Sequence, residues 1–207
     1  MTPPPSPTPE QVLSTYGRVA DDFARMRNTS LFELPMLQAV QAHAPGRDLL
    51  DLGCGPGAPL ARWLSWRGFR VTGVDGAAGM LPHFRRSTRG ARALRADMRH
   101  LALGQRFDAL LAWDSFFHLS LRDQARMFPV FARHARRGAV LVFSSGPARG
   151  VAFGRAAGAP IFHASHAPLA YRRMLRQAGF TVLRFSPEDP ALDRHSWWLC
   201  RRLSRAH

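Results

Sequence analysis

Short apolar runs, each closed by Asp, Gly or Pro, alternate along this chain with stretches whose apolar positions recur every three or four residues. The first kind of segment reads as buried strand, the second as amphipathic helix. Thr8-Pro9-Glu10-Gln11 carries a helix-start signature, and Val12, Tyr16, Val19, Ala20 and Phe23 follow at helical spacing. Asn28-Thr29-Ser30 breaks this helix, and Leu31 to Ala44 reads as a second one, stopped by Pro45-Gly46. Leu49-Leu50 then opens a strand that ends at Asp51, and Leu60, Trp63 and Leu64 mark a helix over 58–67. Further strands are expected over 69–74, 91–96, 107–112 and 138–143. Between them, Met80, Leu81 and Phe84 mark one helix; Met127, Phe128, Val130 and Phe131 mark another, begun by the capping box Ser120-Leu121-Arg122-Asp123. The alternation predicts an α/β domain with a mostly parallel sheet. The apolar/Arg alternation of 91–96 suits an exposed edge strand, and the nearly continuous apolar run of 107–112 a central one. Residues 146–168, with Gly146, Gly150, Gly154 and Gly158, are too irregular for a helix and read as a loop covering one end of the sheet. A helix over 168–178 and strands over 180–185 and 196–202 complete the chain, which shows no repeat and no second domain.

The junction after the first strand carries the candidate chemistry. Asp51-Leu52-Gly53-Cys54-Gly55-Pro56-Gly57 places a glycine at every second position between a strand and a helix. Such a turn takes unusual dihedrals, and its backbone can touch a ligand that faces free helix N–H groups. Gly53-x-Gly55-x-x-Ala58 also satisfies the dinucleotide fingerprint, so an NAD(P) oxidoreductase is one reading. Pro56, which removes an N–H from the turn, and Asp51, where dinucleotide folds usually place an apolar residue, weigh against it. Asp75 closes the second strand, where a carboxylate can accept from both hydroxyls of an adenosine ribose; this supports an adenosine ligand without choosing the cofactor. Asp97-Met98 follow the third strand.

Asp51 to Gly57 resembles motif I of the class I S-adenosylmethionine-dependent methyltransferases, D/E-x-G-x-G-x-G. The runs Phe107 to Leu119, Phe143 to Pro147 and Phe162 to Ser165 extend the likeness to a group of small bacterial members without an assigned substrate. The resemblance implies a Rossmann-like, seven-stranded, mostly parallel sheet with a C-terminal antiparallel strand, helices on both faces and an N-terminal helical lid. It divides the chain into a proline-rich, disordered tail (1–7) and one domain over 8–207. Within that domain it sets N-terminal helices at 8–46, a cofactor-binding core at 47–145, and a cap loop with a strand pair at 146–207. It implies S-adenosyl-L-methionine as cofactor, held by Tyr16, Asp51, Gly53, Gly55, Gly57, Asp75, Gly76, Asp97, Met98 and Trp113. Phe23, Phe117 and His163 are expected to meet the acceptor. The group often has Gly-Glu after its Ser-Gly-Pro turn, whereas Gly150 is followed by Val151 here, which bears on specificity.

Ligands of such sheets bind outside the carboxyl ends of the strands, so Trp113 to His118 should lie where methyl donor and acceptor meet. His118 is the candidate general base and Asp114 the candidate for orienting it; a helix-capping or packing role for His118 is the alternative. Tyr16 and Phe23 serve either the lid or plain helix packing.

Composition adds exclusions. The net charge is +15, and all 29 basic residues are arginine, scattered singly or in pairs. Dispersed arginines read as solvated faces, and the chain lacks the N/D-P-P-Y/F signature of base and glutamine amide methylation after its fourth strand. A small-molecule acceptor is therefore favoured over nucleic acid, with an RNA methyltransferase as the minority reading. Cys54 and Cys200 are isolated, and His163 with His166 is a lone pair, so neither disulfide framework nor metal is indicated. The N-terminus lacks a basic and an apolar segment, and no run approaches the ~20 apolar residues of a membrane span. A cytoplasmic protein is expected; the oligomeric state is left open.

Overall fold

The computed structural model describes residues 6–203. Residues 1–5 of the expected tail lie outside them. The architecture is a seven-stranded sheet with the order β3-β2-β1-β4-β5-β9-β8. Its central strands are β1 (Asp48–Leu52), β2 (Arg70–Asp75), β4 (Phe107–Ala112) and β5 (Ala135–Ser145), with β3 (Arg92–Arg95) at one edge. All of these pair in parallel. At the other edge, β9 (His195–Arg202) runs antiparallel between β5 and β8 (Phe180–Asp189). The expected Rossmann-like fold is thus present, and so is the antiparallel strand at its C-terminal end.

Side-chain alternation along the strands feeds two cores. Leu49, Ala109, Leu111, Val140 and Val142 pack with α3 (Leu34–His43), α4 (Leu60–Trp66) and α5 (Met80–Ser87) on one face. Leu50, Leu52, Leu110, Leu141 and Phe143 pack with α6 (Leu121–His134) and α7 (Pro168–Gln177) on the other. Ser120 caps α6 by accepting from the Asp123 N–H at 3.1 Å. Asp108, the one charge in the central strand, lies at the opposite end of the sheet from the β1–α4 turn. It is buried, accepts from Asp48 N–H at 3.0 Å and pairs with Arg136 at 2.8 Å. A buried carboxylate with those partners is a structural tie, not a second site.

Three expectations need correction. The first N-terminal helix is a 3-10 turn (Pro9–Gln11) followed by α1 (Val12–Arg18) and α2 (Ala20–Met26), with the chain kinked at Val19. The second helix starts three residues later than expected, after Leu31 takes a left-handed φ of 59°. Most consequentially, the expected cap loop contains a β-hairpin, β6 (Gly150–Ala156) paired with β7 (Ala159–Ser165). Its two-residue turn, Ala157-Gly158, has φ of 45° and 83°, the double left-handed geometry that matches strand twist. Asn-Gly is the usual signal for that turn, and Ala-Gly hid it. Gly154 is needed at its position, because a Cβ there would stand 2.6 Å from the His163 ring.

The hairpin packs against the N-terminal helices. Val12, Ala156 and Ile161 form a small core that Tyr16, Val19, Phe23 and Phe162 flank. Together α1, α2 and the hairpin roof the carboxyl ends of β1, β2 and β4. No helix among the described residues is long and apolar enough to cross a membrane.

Candidate active site

The pocket under this roof begins at the glycine turn. Gly53, Gly55 and Gly57 have φ of 72°, 51° and 79°, a region costly for residues with a Cβ. At Gly53 a Cβ would also stand 2.3 Å from the Ser115 Cβ, so the strand end and the turn can approach only because it is absent. Gly55 faces open space in the pocket and donates its N–H to Asp75 Oδ2 at 2.8 Å. Asp75 Oδ1 accepts from the Ala77 N–H, also at 2.8 Å. Two backbone donors therefore fix one carboxylate at the pocket wall, with lone pairs left for a ligand. Burial nonetheless pushes its carboxyl above the ordinary range.

Asp51 lies beside it on the pocket floor, buried, with no hydrogen bond to its side chain among the described residues. Burial, and secondarily the charge of Asp75, raises its pKa from 3.8 to about 7. A buried carboxylate left so poorly compensated is a fit for a positively charged group. Leu13 reaches over from α1 until a Cβ on Gly76 would meet its side chain at 2.7 Å, so Gly76 lets the lid close down onto Asp75. Asp97 and Met98 line the same wall. Both Asp97 oxygens accept from Arg99, at 2.6 to 3.0 Å. Burial pushes this carboxyl up, but the Arg99 bonds outweigh it and hold it below the ordinary range. The sequence pointed to the Asp97 carboxylate but not to Arg99, its partner two residues on.

At the other end the lid meets the rim. Tyr16 is hydrogen-bonded to His118 Nε2 at 2.9 Å, and His118 Nδ1 lies 2.9 Å from the Phe162 carbonyl oxygen. A carbonyl only accepts, so Nδ1 carries the proton and Nε2 accepts from the Tyr16 hydroxyl. Burial drives the His118 pKa down to about 4, so the ring is neutral, and burial likewise raises the Tyr16 phenol. Phe23 packs edge-on against Tyr16 at 5.2 Å and lines the pocket. Phe117 and His163 adjoin His118 and do not themselves line this pocket. Their rings pack on each other at 4.7 Å and on His118 at 4.8 Å each.

Through its carboxylate, Asp114 makes no hydrogen bond to the His118 ring among the described residues. Its backbone takes a left-handed φ of 47°, and its carboxylate turns to Arg27 Nη1 at 3.5 Å and His195 Nε2 at 3.3 Å. Burial pushes this carboxyl up, but the hydrogen bond and charge of His195, then the charge of Arg27, bring it below the ordinary value. Arg27 is held in turn by the fully buried Glu33 at 3.0 Å. Trp113, on the pocket wall, is buried with its indole N–H unpartnered among the described residues, and His195 stacks on it at 5.4 Å. Arg27, Glu33 and His195 were missed because they sit in segments read as the end of the first helix, the start of the second helix and a strand connection. Nothing in their local spacing marks a site.

Residues 49–138 match the family model described as "Methyltransferase domain". Over that segment the chain is similar to methyltransferase domains. Among curated proteins, the trans-aconitate 2-methyltransferase of Enterobacter sp. (strain 638) is 41% identical over 66 residues, 31% of this chain and 26% of that protein. The matched segment therefore spans about a quarter of that relative. Among solved structures, a complex of DhpI with S-adenosylhomocysteine (SAH) superposes with a TM-score of 0.72 at 18% identity, over 95% of this chain and 98% of that one. Magnesium protoporphyrin IX methyltransferase from Synechocystis, with bound S-adenosylmethionine, gives 0.69 at 18% identity, over 94% and 96%. At that identity these structures speak for the methyltransferase fold. Among the described residues, no group of three or more His, Cys, Asp or Glu is placed to hold a metal ion.

Proposed function

We propose that this domain transfers the methyl group of S-adenosylmethionine to a small-molecule acceptor. The observation that carries the reading is the pair of acids at the glycine turn. Asp75 is fixed by two backbone N–H groups where a ribose would be bound, and Asp51 is buried beside it without a compensating charge. A nucleoside that is cationic at its other end satisfies both. The similar structures solved with S-adenosylmethionine or SAH support that choice of cofactor.

When bound, the cofactor supplies an electrophilic methyl group on a sulfonium. The residues of the chain do the rest. Gly53, Gly55 and Gly57 admit the ligand to the backbone; Asp75 and Gly76 take the ribose, with Asp97 and Met98 beside the adenine; Asp51 faces the cationic end. Phe23 and Trp113 line the pocket with aromatic rings, a surface suited to a cation. Leu13, Tyr16 and the hairpin exclude water, and much of the rate comes from holding the partners in line.

The proton route changes from the sequence reading. The His118 lone pair is spent on Tyr16, so an acceptor proton passes to the Tyr16 oxygen as the Tyr16 proton moves to Nε2. His118 is then a base acting through Tyr16, and Phe117 and His163 pack its ring. The two buried free cysteines suit a cytoplasmic setting, and a site lined by residues of the N-terminal helices suits a metabolite better than nucleic acid.

Calorimetry with SAH and, separately, NADH tests the cofactor. Tight NADH binding with no SAH response overturns the reading. Incubating a metabolite extract with methyl-labelled donor identifies the acceptor. Label entering only RNA, and doing so at 200 mM salt, refutes the small-molecule assignment, because nonspecific nucleic-acid contacts weaken steeply with salt.

A further inference from the structure

We propose that His195 is a positioning residue of the methyl-transfer site, clamping Asp114 and Trp113, the two residues with which β4 enters the pocket. The inference rests on the methyl-transfer reading and names a residue outside the pocket wall as part of its machinery. His195 opens β9, and its ring is caught on four sides. Nδ1 lies 2.9 Å from the Leu192 carbonyl oxygen, which can only accept, so this nitrogen carries a proton. Nε2 faces Asp114 Oδ1 at 3.3 Å. One ring face stacks on Trp113 with an interplanar angle of 19°, and Phe32 packs at 5.3 Å.

With an acceptor oxygen at each nitrogen, the arrangement satisfies an imidazolium and leaves a neutral ring one donor short. Burial works against the charged ring, but the Asp114 hydrogen bond and charge prevail, and the pKa is raised. The other charged groups around the pair are Arg27, on the second oxygen of Asp114, and Glu33, which anchors Arg27. Asp114 holds a left-handed backbone conformation that is strained for a residue with a side chain, and it needs partners to stay there. His195 supplies one, and its stacking fixes the indole beside it. The sign follows: the clamp is complete below the raised His195 pKa and is released as pH rises through it.

Protonated imidazole quenches a stacked indole, so the clamp has a spectroscopic signature that needs no acceptor. Tryptophan fluorescence of the full chain, titrated from pH 5 to 9, should rise as His195 deprotonates. Trp113→Phe and His195→Gln should each abolish that transition, and Asp114→Asn should move its midpoint to lower pH. In the labelled-extract assay, His195→Ala should lower incorporation on the order of 10- to 100-fold, as misplacement of site groups does. His195→Gln, which keeps an N–H for Asp114, should recover part of it and remove the alkaline decline. SAH calorimetry on the wild type runs in parallel. Absent SAH binding would sink the methyl-transfer reading while the titration still decides the clamp. A midpoint unchanged by Asp114→Asn, or wild-type incorporation by a folded His195→Ala variant, would overturn the proposal.

Discussion

Replacing Asp51 with Asn should make the ligand-free protein more stable at neutral pH and a worse binder of cofactor. Asp51 is buried with no hydrogen bond among the described residues, and its pKa rises from 3.8 to about 7. A tenfold change in proton affinity corresponds to about 1.4 kcal/mol, so holding this carboxylate ionised in the folded state costs on the order of 4 kcal/mol above pH 7. The sign follows from proton uptake. Below pH ~4 both states hold the proton and nothing is lost; between ~4 and ~7 the unfolded chain releases it first, so stability falls as pH rises; above ~7 the loss is complete. Asparagine carries no such dependence, although its unpartnered amide costs about 1–3 kcal/mol of its own. Urea unfolding at pH 5, 6, 7 and 8 measures the difference between variant and wild type, which cancels every other titrating group that the substitution leaves alone. That difference should move in favour of the variant by about 2–3 kcal/mol between pH 5 and pH 7, then level off. With saturating SAH, whose ammonium can face Asp51, the ordering should reverse. A difference that stays flat with pH would refute the argument, because it would mean that the carboxylate is compensated in the folded state.

Tyr16→Phe and His118→Ala should each lower turnover by roughly 10²–10⁴-fold and leave SAH affinity nearly intact, since they break one proton route; additive losses in the double variant would contradict that shared route. Asp75→Ala should weaken SAH binding by on the order of 100-fold in calorimetry, by removing a carboxylate that holds the turn and the ribose together. Gly53→Ala should destabilise the fold by several kcal/mol in denaturant titration, because it adds a methyl 2.3 Å from the Ser115 Cβ at a φ of 72°.

What could be read from the sequence is what repeats locally. The continuous apolar run of 107–112 and the alternation of 91–96 place those strands at the centre and the edge of the sheet, because burial on two faces or one dictates composition directly. The glycine turn was legible because its three positive-φ positions demand glycine, and Asp75 because it closes a strand of regular apolar pattern. The hairpin over 150–165 was not, since its turn uses Ala157-Gly158 and its strands are mixed in exposure. The partners of Asp114 were invisible for another reason. They come from positions 27 and 195, brought together only when the sheet is complete. His118 was found by its place after β4, but its chemistry depends on Tyr16 and Phe162, one from each roof element.

The place of β9 in the sheet also sets a schedule for the nascent chain. This strand is synthesised after the other strands of the sheet yet lies inside it, between β5 and β8. Until residue 202 has left the ribosome, β5 offers an open edge, and the cores lack Trp197 and Trp198, two of their largest buried side chains. Pairings of long sequence separation are slow, and unpaired edges invite association with other chains. Folding of this molecule is therefore completed only after β9 emerges, and a chain interrupted before residue 195 has no finished sheet, lacks His195 and carries an edge ready to be captured by a chaperone or a protease.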